Sequence, residues 1–254
     1  MRSRIRSLMF VLILSVCRLS PAADLFYITN AGFAAKQISL LGSRLESART
    51  NATNDYLELI RMYVGATAVQ KAQALVQQTN FSPFLVFQVR LVGIGDLFRS
   101  NNLPKTGAFL WRVQRDTDRV TDAVKVAFHR PRPIPEIASF YNEHQTNGFP
   151  SGHAVRGVVF SSIVAQMFPE HSEAILSEGA EVGWNRVRIL MHYPTDIRSG
   201  FELGTNILAE MKRDRQFAAD LAESKGEIDS YFATIKKAIN LHEKHLKSEG
   251  LEGK

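Results

Sequence analysis

Cysteine is nearly absent from this chain of 254 residues: Cys17 is the only one. Its surroundings remove even that one from the folded protein. The stretch MRSRIRSLMFVLILSVCRLSPAAD has Arg2, Arg4 and Arg6, then an apolar run from Leu8 to Val16, then the small residues Ser20, Ala22 and Ala23. That is the layout of an export signal. The apolar run is too short to span a bilayer, so the expectation is a signal peptide over residues 1–23, cleaved after Ala23 or nearby. The mature chain, 24–254, would have no thiol, could form no internal disulfide and would hold its fold by packing. Lipidation is disfavoured, because Val16 stands where a lipoprotein signal wants a small residue and Arg18 follows Cys17 at once.

Excess positive charge is also missing once the leader is set aside. The leader carries four arginines and no acid, so its loss takes the formal charge from +6 to +2. No Lys/Arg block interleaved with aromatics remains, which excludes a nucleic-acid surface as the natural reading. Internal repeats and low-complexity linkers are absent, and strand signals are weak. Long hydrophobic runs are lacking too. The most apolar mature segment, FSPFLVFQVRLVGIGDLF, is interrupted by Arg90 and Asp96 and weakened by Gly93 and Gly95. A buried core helix accounts for it better than a membrane span, so no transmembrane segment is expected in the mature chain.

What is present is the composition of a folded globular protein, 45% hydrophobic and 22% charged, with enough chain for one substantial core. Amphipathic periodicity predicts helices over roughly 33–48, 53–63, 67–78, 84–97, 107–128, 155–167, 170–190, 196–212, 216–224 and 227–247, separated by Pro- and Gly-marked turns. The predicted fold is an all-α bundle forming a single domain over 24–254.

Three short irregular segments border these helices and carry cations or histidines: KVAFHRPRP (Lys125 to Pro133), PSGH (Pro150 to His153) and NRVRILMHYPTD (Asn185 to Asp196). Each has an ordinary explanation. Lys125 would be a solvated helix lysine near Thr121 or Asp122. Arg130 and Arg132 would form a stiff basic loop between prolines. Ser151 would cap a helix, and Arg186 and Arg188 would pair with Glu178 and Glu181. His192 would be a core histidine, and Asp196 a first-turn acid favoured by the macrodipole. Together, however, Lys125, Arg132 and Arg186 supply fixed positive charge, and Ser151 and Gly152 supply N–H groups at a helix start. That set suits a tetrahedral dianion.

The ordered pattern resembles the type 2 phosphatidic acid phosphatase superfamily, whose signature is K-x6-RP, PSGH and SR-x5-H-x3-D. Every letter is matched but one, Asn185 replacing the usual serine. Flanking text such as FYNEHQTNGFPSGH and ILSEGAEVGWNRV is similar to the secreted branch, the bacterial class A non-specific acid phosphatases. Residues before about Gly107 carry little of the likeness. The resemblance implies the compact helical bundle of the type 2 phosphatidic acid phosphatase/haloperoxidase type. It also implies metal-independent hydrolysis of phosphomonoesters through a phosphohistidine.

In that scheme His192 attacks phosphorus, Asp196 orients it, and His153 protonates the leaving oxygen and then activates water. Lys125, Arg132, Ser151, Gly152 and Arg186 bind the phosphate. The resemblance implies no metal and no cofactor, although vanadate could occupy the phosphate site. The expected location is periplasmic or secreted, with a homo-oligomer suggested by relatives. Three alternatives belong beside this reading: a phosphatase of lipid phosphates or pyrophosphates, a vanadium-dependent haloperoxidase, and a phosphate-binding module without turnover.

Overall fold

The structure, a computed structural model, describes residues 26–79, 81–140 and 147–248. The expected leader, 1–23, lies outside the described residues. Among the described residues ten α-helices follow one another: α1 (Phe33–Thr50), α2 (Ala52–Gly65), α3 (Ala68–Thr79), α4 (Pro83–Gln88), α5 (Pro104–Ala127), α6 (Pro135–Phe140), α7 (Gly152–Met167), α8 (Ser172–Arg188), α9 (Pro194–Met211) and α10 (Arg215–Ser248). Among the described residues there is no strand, only an antiparallel bridge between Pro131 and Asn147. The protein is all-α, as the sequence patterning requires.

Helix α7 is the axis of the molecule because it is apolar on nearly every side. Val155, Val159, Phe160, Ile163 and Val164 are all fully buried. A helix hydrophobic all round belongs in a core, and each such side chain contributes roughly 1.5–3 kcal/mol when taken out of water. Helices α8 and α9 pack on α7, α5 lies against it on another side, and α10 and α1 pack on α5. Close approach of α7 to α8 depends on two glycines: a Cβ on Gly157 would strike the Gly179 carbonyl, and one on Gly179 would strike Ser161. Gly200 plays the same part between α9 and α7, where a Cβ would come within 2.7 Å of the Ser151 carbonyl oxygen.

Local signals set the helix ends. Pro104 and Pro194 begin α5 and α9, where the missing N–H is no loss. Helix α8 ends in a Schellman turn: Met191 N–H donates to the Arg186 carbonyl (2.8 Å) and Leu190 N–H to that of Val187 (3.0 Å). Leu190 takes the left-handed position at φ 62, a conformation that costs a non-glycine residue about 1–2 kcal/mol. The turn reverses the chain and delivers Met191 and His192 back to the start of α9.

Three helix expectations need correction. The 84–97 segment is not one core helix: α4 stops at Gln88, Gly93 sits at φ 80, and a short 3-10 turn follows at Gly95–Leu97. Val86, Phe87 and Leu91 are buried there, but Leu85, Val89 and Val92 are exposed. The helices expected over 216–224 and 227–247 form one continuous helix, α10, because Gly226 has nothing around it to force a break. Helix α6 was not expected at all. Among the described residues, no helix is long and apolar enough to cross a membrane.

Candidate active site

The elements converge on one end of α7. Lys125 comes from the last turn of α5 and Arg132 from the loop after it. Ser151, Gly152 and His153 start α7, Arg186 lies in the last turn of α8, and His192 and Asp196 flank the start of α9. All of these except Gly152 are buried, Arg186 and Asp196 completely. A lone charged residue in such a place would be costly, and here every fixed charge has a partner.

Ser151 caps α7, its Oγ accepting from Ala154 N–H at 3.4 Å, while its own N–H donates to the Asp196 carbonyl at 3.0 Å. The start of α7 is thereby tied to the start of α9. Lys125 is buried, not solvated, and its Nζ donates to the Asn147 carbonyl at 3.2 Å. Its Cε stands 3.9 Å from where a Cβ on Gly152 would be. Arg186 does not pair with Glu178, which instead accepts from Arg90 (2.8 Å) and Gln77 (2.9 Å). Its guanidinium donates to the Ala74 carbonyl of α3. Arg188 does meet Glu181, as expected. Asn185 bonds Gln77 Oε1 at 2.8 Å and accepts from Arg188 at 2.6 Å, so it joins α8 to α3.

The geometry around His192 fixes its protonation. Arg132 lies with one guanidinium nitrogen 2.9 Å from His192 Nε2 and 3.1 Å from the Met191 carbonyl. Arginine can only donate, so Nε2 must present its lone pair and the proton resides on Nδ1. That nitrogen lies 3.4 Å from Asp196 Oδ2, close enough for charge to act but not aligned as a hydrogen bond. Burial holds His192 well below its ordinary range, and the positive charges of Arg132, Lys125 and Arg186 push it further down.

His153 is likewise lowered, first by burial and then by Arg186, Arg156 and His192, with a bond to the Gln77 backbone opposing them. Its Nε2 has no hydrogen-bond partner among the described residues. Phe81 meets the ring edge-on at 6.0 Å.

One feature of this region is missed by the sequence reading. Arg130 is more than part of a stiff loop. It is buried and donates to Asp196 Oδ1 (2.7 Å) and to Asp55 Oδ2 of α2 (2.6 Å), with its guanidinium over the Tyr193 ring at 4.3 Å. Asp55 has no sequence signal, because its nearest landmark is 70 residues away in Lys125. Arg130 could have been found by its place two residues before Arg132. Burial pushes the Asp196 carboxyl up and Arg130 pulls it back down. Among the described residues no group of three or more His, Cys, Asp or Glu could hold a metal ion.

Comparison with known proteins agrees with this geometry. Relatives include an acid phosphatase of Zymomonas mobilis, 27% identical over 32% of this chain and 31% of its own. A non-specific acid phosphatase of Providencia stuartii is 28% identical over 47% of this chain and 50% of its own. A lipid A 1-phosphatase of Rhizobium johnstonii is 28% identical over 39% of this chain and 43% of its own. The chain thus spans about a third to a half of the length of these curated relatives. Residues 117–219 match the family model described as the PAP2 superfamily. That span includes Lys125, Arg132, Ser151, Gly152, His153, Arg186, His192 and Asp196, and over it the chain is similar to that family.

Proposed function

We propose that the protein is an exported phosphoric monoester hydrolase that works through a phosphohistidine on His192 and needs no metal. One observation carries this reading: the Arg132 guanidinium 2.9 Å from His192 Nε2. The Nε2 lone pair is aimed at Arg132, the cation that would bind a phosphate oxygen, so an arriving phosphate takes the guanidinium and frees the lone pair for phosphorus, while the ring's other nitrogen faces Asp196. That is the arrangement of an activated nucleophile with an orienting base partner.

In the reaction, the phosphate oxygens sit among Lys125, Arg132, Arg186, the Ser151 hydroxyl and the Gly152 N–H, and these groups meet the charge of the transition state. The Ser151 N–H expected for this part is taken by the Asp196 carbonyl. Nε2 of His192 forms a bond to phosphorus as the P–O bond to the alcohol breaks. Asp196 steadies the positive ring. His153 gives a proton to the departing oxygen, then takes one from the water that cleaves the phosphohistidine.

A lowered His192 is already neutral in mild acid, so the acid limb of activity moves to lower pH. His153 must gain a proton before it can donate one. A bound dianion supplies the negative charge that raises it. A bell-shaped profile on the acidic side of neutrality follows.

Arg186 is covered by α3, where its guanidinium meets the Ala74 carbonyl, so a phosphate bound to Arg186 would replace that bond. The test is release of phosphate from p-nitrophenyl phosphate by chain 24–254, with a chelator present, from acidic to neutral pH. Chelator-resistant, bell-shaped turnover is expected. No turnover by folded protein would overturn the reading for small esters.

A second reading, a lipid phosphate substrate, is favoured by one observation. Residues 59–95 contain no Asp or Glu, and Val64, Val69, Leu75, Val76, Leu85, Val89 and Val92 within them are exposed. Exposed apolar side chains in a segment whose only charged residues are Arg61, Lys71 and Arg90 suit an anionic lipid surface. Hydrolysis of phosphatidic acid in mixed micelles at a rate well above that of p-nitrophenyl phosphate would favour it.

A further inference from the structure

We propose that Asp55 and Arg130 are positioning residues for the reaction, acting on His192 through Asp196. The inference rests on the phosphatase reading above and assigns a part to helix α2, which lies outside the matched segment 117–219.

The argument is one of how the bonds are shared out. Asp55 uses one carboxylate oxygen to accept from Thr195 N–H in the first turn of α9 (3.0 Å) and the other to accept from Arg130 (2.6 Å). Arg130 uses one terminal nitrogen for Asp55 and the other for Asp196 Oδ1 (2.7 Å). Asp196 is then left with Oδ2, which accepts from Tyr193 N–H at 2.9 Å and faces His192 Nδ1. Asp55, Arg130 and Asp196 are 6%, 9% and 0% exposed. At that depth the three side chains hold one another in a single geometry.

The consequence is specific. Without Arg130 the Asp196 carboxylate loses its bond at Oδ1 and its compensating charge, so it rotates or takes up a proton. A protonated or rotated carboxyl no longer stabilises the positive ring that forms as His192 attacks. Without Asp55, Arg130 keeps its attraction to Asp196 but loses the anchor that fixes its direction. Neither residue is among those assigned to the phosphate, and the side-chain bonds of both go to Asp196, Thr195 and each other. Their loss therefore lowers the rate of the chemical step and leaves substrate affinity nearly alone, as for supporting partners of site ligands, whose removal costs about 10–100-fold.

The experiment compares wild type, Asp55→Asn, Arg130→Met, Asp196→Asn and the double variant Asp55→Asn/Asp196→Asn in p-nitrophenyl phosphate turnover, with the ¹⁵N shifts of the His192 ring recorded for each. Asp55→Asn keeps the side-chain shape and serves if Arg130→Met does not fold. The expected result is a kcat reduced by about 10-fold in Asp55→Asn and more in Arg130→Met, with KM within about twofold. In the double variant Asp55→Asn adds nothing to Asp196→Asn, because both act along one path. The Nδ1 shift of His192 moves in Asp55→Asn.

A folded Asp55→Asn with wild-type kcat and an unmoved Nδ1 shift overturns the inference, as does full additivity with Asp196→Asn. If wild type has no turnover, the phosphatase reading fails while the Nδ1 shift still decides whether Asp55 acts on His192.

Discussion

The two ends of the chain are built differently. In α7, α8 and α9 most large apolar side chains are buried, with Val158, Trp184 and Phe201 half-buried and Leu176 alone exposed, and glycines bring backbones into contact. In α1 to α4 the packing is looser, with Leu40, Tyr56, Leu57, Val64, Val69, Leu75, Val76 and Leu85 exposed. The motif lies in the tight region and its immediate borders. Yet the looser region supplies the Ala74 carbonyl on Arg186, the Gln77 backbone on His153, and Asp55 behind Arg130. The difference teaches that the groups proposed to meet the phosphate sit on a closely packed frame, while contacts to Arg186 and His153 and the support behind Arg130 come from helices that carry no signature.

The sharpest break of that comparison is His192→Ala. Turnover should fall by at least about 10⁴-fold, the scale of losing a nucleophile, with far-UV circular dichroism unchanged; a folded variant that keeps activity removes the chemistry from the tight region. Next comes Arg132→Ala, expected to lower kcat by about 10²–10³-fold, as for loss of one electrostatic stabiliser, measured in steady-state assays. An effect confined to KM would make Arg132 a binder only.

Stability changes sharpen the contrast in packing. Gly179→Ala should destabilise by about 1–3 kcal/mol in urea titration, because its Cβ meets Ser161 and the Gly157 carbonyl with no room to move. Acid should act on the same frame. His153 and His192 are held neutral when folded but protonate near pH ~6.5 when unfolded. Above that pH they leave stability flat, and below it the unfolded chain binds protons the folded chain refuses, so stability falls as pH falls. Urea midpoints from about pH 7 to 5 check this, and His153→Asn should flatten the decline.

The smallest effect is Gly226→Ala in α10. With open space around it, this should stabilise by about 0.5–1 kcal/mol, since alanine is the better helix former.

Much of this was legible in the sequence. The all-α class followed from periodicity, and the ordered spacing that resembles the family signature singled out eight residues that the structure brings to one end of α7. Helices α5, α7 and α9 start two to three residues before the expected 107, 155 and 196, at Pro104, Gly152 and Pro194. What was hidden has physical causes. The segment 84–97 is apolar enough to read as one helix despite Arg90, and nothing in its pattern marks the end of α4 at Gln88, five residues before the left-handed Gly93. The bend expected between Ser224 and Glu227 came from a glycine that α10 simply absorbs. Leu190 occupies a left-handed position that glycine normally marks, so the turn that delivers His192 left no sign. Asp55 is one acid among 25 acidic residues, and only three-dimensional proximity to Arg130 distinguishes it.

The most direct test of the central claim is to trap the intermediate. Wild type and His153→Ala are mixed with p-nitrophenyl phosphate, quenched in alkali, digested and analysed for the site of phosphorylation. This leaving group needs little protonation, so His153→Ala should still be phosphorylated but should hydrolyse the intermediate slowly. The account predicts an acid-labile phosphoryl group on His192 that accumulates in His153→Ala. Continued turnover with no phosphorylated His192 in either protein would contradict it.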